Sequence, residues 1–237
     1  PDPAVFSSQI RKMFTAIAPN YDLLNRLLSF GRDVYWRKTA VGILNPQPGQ
    51  RILDVATGTG DVALEIASRG QGQVQVVGVD FSHRMLEIGR KKIRKRNLEQ
   101  VIDLQSGDGE SLAFSDQSVD GVICAFGVRN FSDVEKGLAE MRRVLKSKGK
   151  VVILEFSLPK NILLRYIYKT YFHVLLPRVG RMISGHKSAY GYLPASVSKF
   201  PDRMKFAEMM SQSGFSCVTH RDMTFGIVTI YTGIRNA

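Results

Sequence analysis

From Gln50 onward the chain alternates short apolar runs with amphipathic stretches, and that alternation leaves it few folds to adopt. The runs Arg51–Val55, Val74–Val79, Val101–Gln105, Val119–Cys124 and Lys150–Glu155 are short, apolar and bounded by turn residues, so they read as strands. Between them, stretches near 61–69, 82–96 and 132–146 carry apolar residues at helical spacing. Such an alternation packs as a parallel sheet with helices on both faces. After a helix at Asp202–Ser213, Gly214 opens two consecutive strands, Phe215–His220 and Gly226–Arg235, joined by Arg-Asp-Met-Thr-Phe. A link that short predicts an antiparallel hairpin at one sheet edge. The expected fold is α/β: an open, mostly parallel, seven-stranded Rossmann-like sheet with a reversed terminal strand.

Residues 5–44 read instead as helical. Val5, Ile10, Met13, Phe14 and Ile17, then Leu24, Leu27 and Leu28, fall at helical spacing. Pro19-Asn20 breaks the run and Asn45-Pro46-Gln47-Pro48-Gly49 ends it. A length of 237 residues with 44% apolar content suits a single domain, 1–237. Its expected parts are a helical flap (1–45), a cofactor-binding core (50–155), a basic lid or substrate segment (156–201), and a C-terminal helix and strand pair (202–237).

Thirty-three Lys+Arg against 21 Asp+Glu leave a net charge of +12. No acid occurs between Glu155 and Asp202, while Lys160, Arg165, Lys169, Arg178, Arg181, Lys187 and Lys199 do. Such a segment calls for an anionic partner: nucleic acid, anionic lipid or an acidic substrate. No apolar run approaches the ~18 residues of a membrane span. The opening PDPAVFSSQIRKMF lacks the basic start and apolar core of a secretory signal, so a cytoplasmic protein is expected. Cys124 and Cys217, without CxxC spacing, read as reduced, buried thiols.

The first strand ends in Asp54-Val55-Ala56-Thr57-Gly58-Thr59-Gly60-Asp61 and runs into a helix. Gly58 and Gly60 let the backbone turn tightly and approach a ligand. The second strand ends near Asp80, placed to accept ribose hydroxyls. A dinucleotide site would show G-x-G-x-x-G, which this loop lacks. An acid at the start of the loop suits a cationic cofactor, such as the sulfonium and ammonium of S-adenosylmethionine, better than a pyrophosphate. Strand three leads to Gly107-Asp108-Gly109-Glu110, where a carboxylate can accept an adenine amino group. Asp54, Asp80 and Asp108 thus stand at three successive strand ends, where open α/β sheets bind ligands. The expected cofactor is S-adenosylmethionine, with S-adenosylhomocysteine as product.

Three blocks then carry a resemblance. They are Tyr21-Asp22-Leu23-Leu24-Asn25 with Ser29-Phe30-Gly31-Arg32-Asp33-Val34-Tyr35-Trp36; Phe126-Gly127-Val128-Arg129-Asn130; and Arg143-Val144-Leu145-Lys146 through Glu155-Phe156-Ser157, then Phe172–Gly180 and Tyr190-Gly191-Tyr192-Leu193. Over nearly its whole length the chain resembles the ubiquinone/menaquinone biosynthesis C-methyltransferases, a methyltransferase family. It departs from the family pattern at Leu24, Asp33, Ala56, Ala125 and Ser147-Lys148. The resemblance implies Thr59, Asp80 and Asp108-Gly109 as cofactor positions, with Ala125 lining the site through its backbone. It also implies methylation of a ring carbon on a polyprenylated hydroquinol, demethylmenaquinol being favoured over the ubiquinone-pathway benzoquinol.

A ring carbon becomes nucleophilic when a neighbouring hydroxyl is deprotonated. A phenol has a pKa near ~10, and each unit of lowering is worth ~1.4 kcal/mol. A cation beside the nascent phenolate provides that lowering. Arg129 is expected in this role, with Asn130 orienting it or a relay water; a salt bridge at a helix start is the rival reading. Tyr21, Asn25, Trp36 and His173 are candidate substrate residues, and no Cys/His cluster suggests a metal. Residues 161–176 place Arg165, Lys169 and His173 on one helical face opposite Ile162, Leu164, Ile167, Tyr171 and Leu175. Such a helix either lies on an anionic membrane surface through 160–187, peripheral at its inner face, or packs as a lid. The remaining alternative is an RNA methyltransferase or RNA-binding protein using the basic surface. Against it stand the lack of RNA-binding motifs and the helical Arg90–Arg96 cluster, which reads as a solvated face. The sequence leaves the oligomeric state open.

Overall fold

Five buried apolar runs become β1 (Arg51–Val55), β2 (Gln75–Asp80), β3 (Ile102–Ser106), β4 (Val119–Ala125) and β5 (Leu145–Phe156) in a computed structural model, which describes residues 3–171 and 189–236. With β6 (Phe215–Met223) and β7 (Val228–Arg235) they form one seven-stranded sheet in the order β3-β2-β1-β4-β5-β7-β6. The first five pair in parallel; β7 runs antiparallel to both β5 and β6. The chain's last strand therefore lies inside the sheet, and β6 is the edge.

Burial on both faces explains why the inner parallel strands β1, β2 and β4 read as nearly continuous apolar runs, whereas the edge strand β3 alternates Ile102 and Leu104 inward with exposed Asp103 and Gln105. On one face, α3 (Arg32–Leu44), α4 (Asp61–Arg69) and α5 (His83–Lys95) bury Trp36, Val41, Ile66 and Leu86. On the other, α6 (Val134–Val144) and α9 (Arg203–Gln212) bury Leu138, Met141, Phe206 and Met210. Asp133 and Asp202 start α6 and α9 by accepting the backbone N–H of Lys136 and Lys205, which satisfies an otherwise orphaned donor. A third cluster joins α1 (Pro3–Ile17), α2 (Tyr21–Leu28), α5, α7 (Ile162–Thr170) and α8 (Ala189–Lys199) through Ile17, Leu24, Met85, Tyr168 and Val197.

Several expectations change. The helical flap breaks at Pro19-Asn20 as the sequence predicts, through the short 3₁₀ turn Ala18–Asn20, but it breaks a second time where Phe30 and Gly31 take positive φ (52° and 75°). Strand β5 begins at Leu145, five residues before Lys150, because it pairs with Val119 ahead of a register shift. Strand β6 extends to Met223, leaving only the 3₁₀ turn Thr224–Gly226 before β7. Cys124 is buried, but Cys217 is exposed, since it sits where the β6–β7 register shifts on the edge strand. The apolar face of α7 is also not fully packed: Ile162 and Ile167 are exposed, while Leu164, Tyr168 and Tyr171 turn inward. Lys169 has no described side chain, and Leu175 lies outside the described residues.

Candidate active site

The sheet order reverses between β1 and β4, and open α/β sheets bind ligands at that point, beyond the strands' C-terminal ends. A cavity of about 420 Å³ lies there. The β1–α4 loop forms part of its wall. Gly58 (φ 56°) holds a left-handed backbone that side chains disfavour, and its N–H donates to Asp80 Oδ2 at 2.9 Å. Asp80 Oδ1 accepts the N–H of Ser82 at 2.8 Å. Each carboxylate oxygen keeps a further lone pair for a ligand. Burial pushes the Asp80 carboxyl up to about 6, against the two backbone donors.

Of the residues expected to bind the cofactor, Gly58, Asp80, Asp108, Gly109 and Ala125 line this cavity, and Asn130, expected beside Arg129, lines it too. Asp54, Thr59 and Gly60 do not. Asp54 is buried, with Oδ2 accepting from Thr57 Oγ1 at 2.6 Å and Oδ1 without a partner among the described residues. Burial pushes its carboxyl up to about 7, offset in part by Thr57. Thr59 Oγ1 donates to Asp22 at 2.6 Å and accepts from Lys92 Nζ at 2.9 Å, so it ties the loop to the flap. Three carboxylates gripping one ligand thus become two on the wall and one beneath the loop. The reason is that β1 is central and buried, so its last acid is covered by the loop that follows. Sequence reasoning missed Glu110, which also lines the cavity while accepting the N–H groups of Ser132 and Asp133.

A second cavity, of about 450 Å³, adjoins the first and shares Phe14, Tyr21 and Phe126 with it. Its wall is mostly apolar, including Met13, Leu28, Phe156, Tyr168 and Ile227. Tyr21, Asn25 and Trp36 all line it. Trp36 is also core, its indole N–H donating to Thr224 Oγ1 at 2.8 Å and its ring meeting Phe126 and Phe156 edge-on. Burial raises the Tyr21 phenol, opposed by the hydrogen bond with Asn25 and the charge of Arg129. His173 lies outside the described residues, as do His186, Arg178, Arg181 and Lys187.

Arg129 lines the second cavity from the 3₁₀ turn Val128–Asn130. Its Nη1 donates to Glu155 Oε1 at 2.9 Å and to the Phe126 carbonyl, and the guanidinium lies over the Phe156 ring at 5.3 Å. The side chain is 7% exposed, yet Nε has no partner among the described residues. The salt bridge and a cation on the cavity wall are therefore one arrangement. Asn130 Nδ2 donates to the same Phe126 carbonyl at 3.3 Å, and its Oδ1 accepts from Tyr192 on α8 at 3.0 Å.

Lys92 is the other surprise. It sits within the basic run of α5, but its Nζ contacts Asp22 and Asp61 rather than solvent alone. Arg37 links Asp61 to the buried Asp33, which also meets Arg26. Only Arg90, Lys91, Arg94, Lys95 and Arg96 remain an exposed face. Among the described residues, no group of His, Cys, Asp and Glu is placed to hold a metal.

A seven-stranded sheet with one antiparallel strand beside β5 and a cavity at the β1–β4 switch is the architecture of the S-adenosylmethionine-dependent methyltransferases. A methyltransferase from Aquifex aeolicus shares the fold at TM-score 0.65 and 15% identity, over 90% of this chain and 97% of that one. The chain belongs to the ubiE/COQ5 methyltransferase family, whose sequence model matches residues 4–235. The ubiquinone/menaquinone biosynthesis C-methyltransferase UbiE of Geotalea daltonii is 48% identical over 225 residues, 95% of each chain. The demethylmenaquinone methyltransferase of Bacteroides fragilis is 42% identical over 229 residues, 97% of this chain and 93% of that one. The RNA-methylation alternative finds no support among these relatives.

Proposed function

We propose that the protein methylates a ring carbon of a polyprenylated hydroquinol, demethylmenaquinol first among candidates, with S-adenosylmethionine as donor. One observation carries the reading: a cavity at the sheet's switch point that carries the carboxylates of Asp80, Asp108 and Glu110 meets an apolar cavity that holds a buried cation. The residues of the first cavity fit a cationic, nucleoside-bearing donor. Asp80 and Asp108 supply carboxylates, Arg11 is the one cation among the described lining residues, and Asp54 Oδ1, without a partner among the described residues, lies behind the loop. Bound there, S-adenosylmethionine supplies an electrophilic methyl group on a sulfonium.

The chain's own residues prepare the acceptor. Arg129 offers a guanidinium to the nascent phenolate in an apolar wall, where its charge acts more strongly than in water. Asn130 and Tyr192 tie that turn to α8. Tyr21, Phe14 and Phe126 form the shared wall, so contents of the two cavities meet across aromatic surface that offers water few hydrogen-bonding partners. No protein nucleophile is required; alignment and dryness supply the rate.

The test is methyl transfer to short-tailed demethylnaphthoquinol and benzoquinol, with S-adenosylhomocysteine and RNA titrations alongside. Methylation of either quinol supports the reading; binding of RNA without methylation of either overturns it. For Arg129→Ala, kcat should fall by about 10²–10³, as when one oxyanion-stabilising donor is lost. A change confined to quinol KM would refute the role given to Arg129.

The same cavity supports a membrane-facing position. Phe30, Ile167 and Phe225 line it and are themselves exposed, so they mark an apolar mouth. Ile162, Leu163 and Tyr166 extend the apolar surface along α7, and Lys160, Arg165 and Arg32 are exposed nearby in sequence. Exposed apolar and basic groups together suit an anionic bilayer surface, where the substrate's isoprenoid tail resides. No helix among the described residues is long and apolar enough to cross a membrane.

A further inference from the structure

Glu155 is fully buried at the end of β5, and it is not on the wall of either cavity. Its carboxylate nonetheless fixes most of what Arg129 does. Oε1 accepts from Arg129 Nη1 at 2.9 Å and from the Phe156 N–H at 2.8 Å; Oε2 lies 3.3 Å from the Arg129 N–H. One carboxylate therefore holds both the backbone and the head group of Arg129. Nη1 is spent on Glu155 and Phe126, while Nε is left without a partner among the described residues. Burying two opposite charges costs several kcal/mol per ion, and a packed apolar pair is often as stable. Stability is thus a weak reason for this pair.

We infer that Glu155 is a positioning residue, which orients the Arg129 guanidinium at the cavity and attenuates its positive charge. The inference rests on the reading that Arg129 faces a substrate phenolate. A bare cation would lower the phenol's pKa further, but the phenolate so stabilised would be a poorer carbon nucleophile. A carboxylate behind the cation keeps the phenolate reactive. The groups around the pair are Tyr21 from α2, Tyr168 from α7, Tyr192 from α8, Cys124 from β4 and Tyr231 from β7, with Arg37 and Asp33 across the cavity from α3. The phenols and the thiol are all raised above their ordinary values, chiefly by burial, so they stay neutral through the assay range.

The experiment is the pH dependence of kcat with a short-tailed quinol for wild type, Glu155→Gln, Arg129→Gln and the double variant, with circular dichroism and S-adenosylhomocysteine affinity as controls. Glutamine keeps an acceptor for Arg129 but removes the charge. For Glu155→Gln, the acid limb should move to lower pH and the plateau kcat should drop about tenfold, with quinol KM nearly unchanged. In the Arg129→Gln background the same change should have no further effect on the limb. The inference is overturned if Glu155→Gln leaves the limb in place, or moves it equally with and without Arg129. If Arg129→Gln itself leaves the limb unmoved, the phenolate role of Arg129 fails instead. Should Glu155→Gln not fold, Glu155→Asp keeps the charge on a shorter arm: a kcat loss with an unshifted limb supports positioning, and wild-type kcat overturns it.

Discussion

Ala56 holds a left-handed backbone (φ 56°) in the glycine-rich loop, a conformation that strains L-residues but not glycine. Its methyl group is accommodated by Gly127, where an added Cβ would come within 2.5 Å of it and 2.8 Å of Cys124 Sγ. Ala56→Gly should therefore stabilise the protein, by about 0.5–1 kcal/mol in urea unfolding after the entropy of the unfolded chain is counted. Gly127→Ala should cost about 1–3 kcal/mol through overpacking, and part of that loss should return when Ala56→Gly is added. Strictly additive effects would show that the two residues do not compete for space. Asp54 carries a different prediction. Its folded-state pKa, about 7, lies above the 3.8 of the unfolded chain, so the folded protein holds a proton that the unfolded chain releases. Its contribution is present below pH 4 and is lost as pH rises through 7, with a slope approaching 1.4 kcal/mol per unit. Asp80 shifts the same way but is common to wild type and Asp54→Asn. Between pH 5 and 8 the wild type should lose stability relative to Asp54→Asn in ligand-free unfolding; parallel curves would show that burial does not control this carboxyl.

The helical flap is held by charge as well as by packing. Lys92 on α5 joins Asp22 on α2 to Asp61 on α4, and Arg37 continues the chain to Asp33. Lys92 and Arg37 hold the Asp61 carboxyl below its ordinary value, against its burial. Because the groups are partly exposed, Lys92→Met should cost only about 1 kcal/mol globally. It should, however, speed hydrogen exchange in α1–α3 more than in the sheet and weaken S-adenosylhomocysteine binding, since the loop that carries Gly58 loses one of its ties to the flap. Uniform exchange changes would mean the network does not latch the flap. Trp36 is the second tie, crossing from α3 to Thr224. Trp36→Phe leaves that hydroxyl short of a donor and should cost about 1 kcal/mol, whereas Trp36→Ala should cost about 3–5.

At the scale of the whole molecule, the net charge of +12 and the apolar mouth of the second cavity point the same way. Phe30, Ile162 and Phe225 are each at least 80% exposed, an expensive way to treat large apolar side chains in water. Co-sedimentation should be strong with vesicles of mixed anionic and neutral lipid, weak with neutral vesicles, and should decline with salt. Ile162→Ser and Leu163→Ser, at exposed positions off the cavity wall, should reduce it without altering activity on a short-tailed quinol. Binding indifferent to anionic lipid would count against the surface.

The strand–helix alternation made the sheet legible because a parallel strand buried on both faces must be apolar throughout, whatever its neighbours. Asp80, the last residue of β2, and Asp108, in the loop after β3, reach the first cavity because parallel strands end beside the switch point, whereas Asp54 at the end of the central β1 is covered by its own loop. The edges of elements were less legible. Whether Lys150 or Leu145 begins β5 depends on pairing with Val119, a contact made across the sheet. Asp54, Thr59 and Lys92 show the limit for side chains. Each has the residue type its expected role demands, yet hydrogen bonds to Thr57, Asp22 and Asp61 redirect them. Periodicity and residue type are properties of the chain and fix which face each element buries. The partner a polar side chain meets is set by elements distant in sequence, so the cavity wall and the Arg129–Glu155 pair exist only once the sheet has assembled.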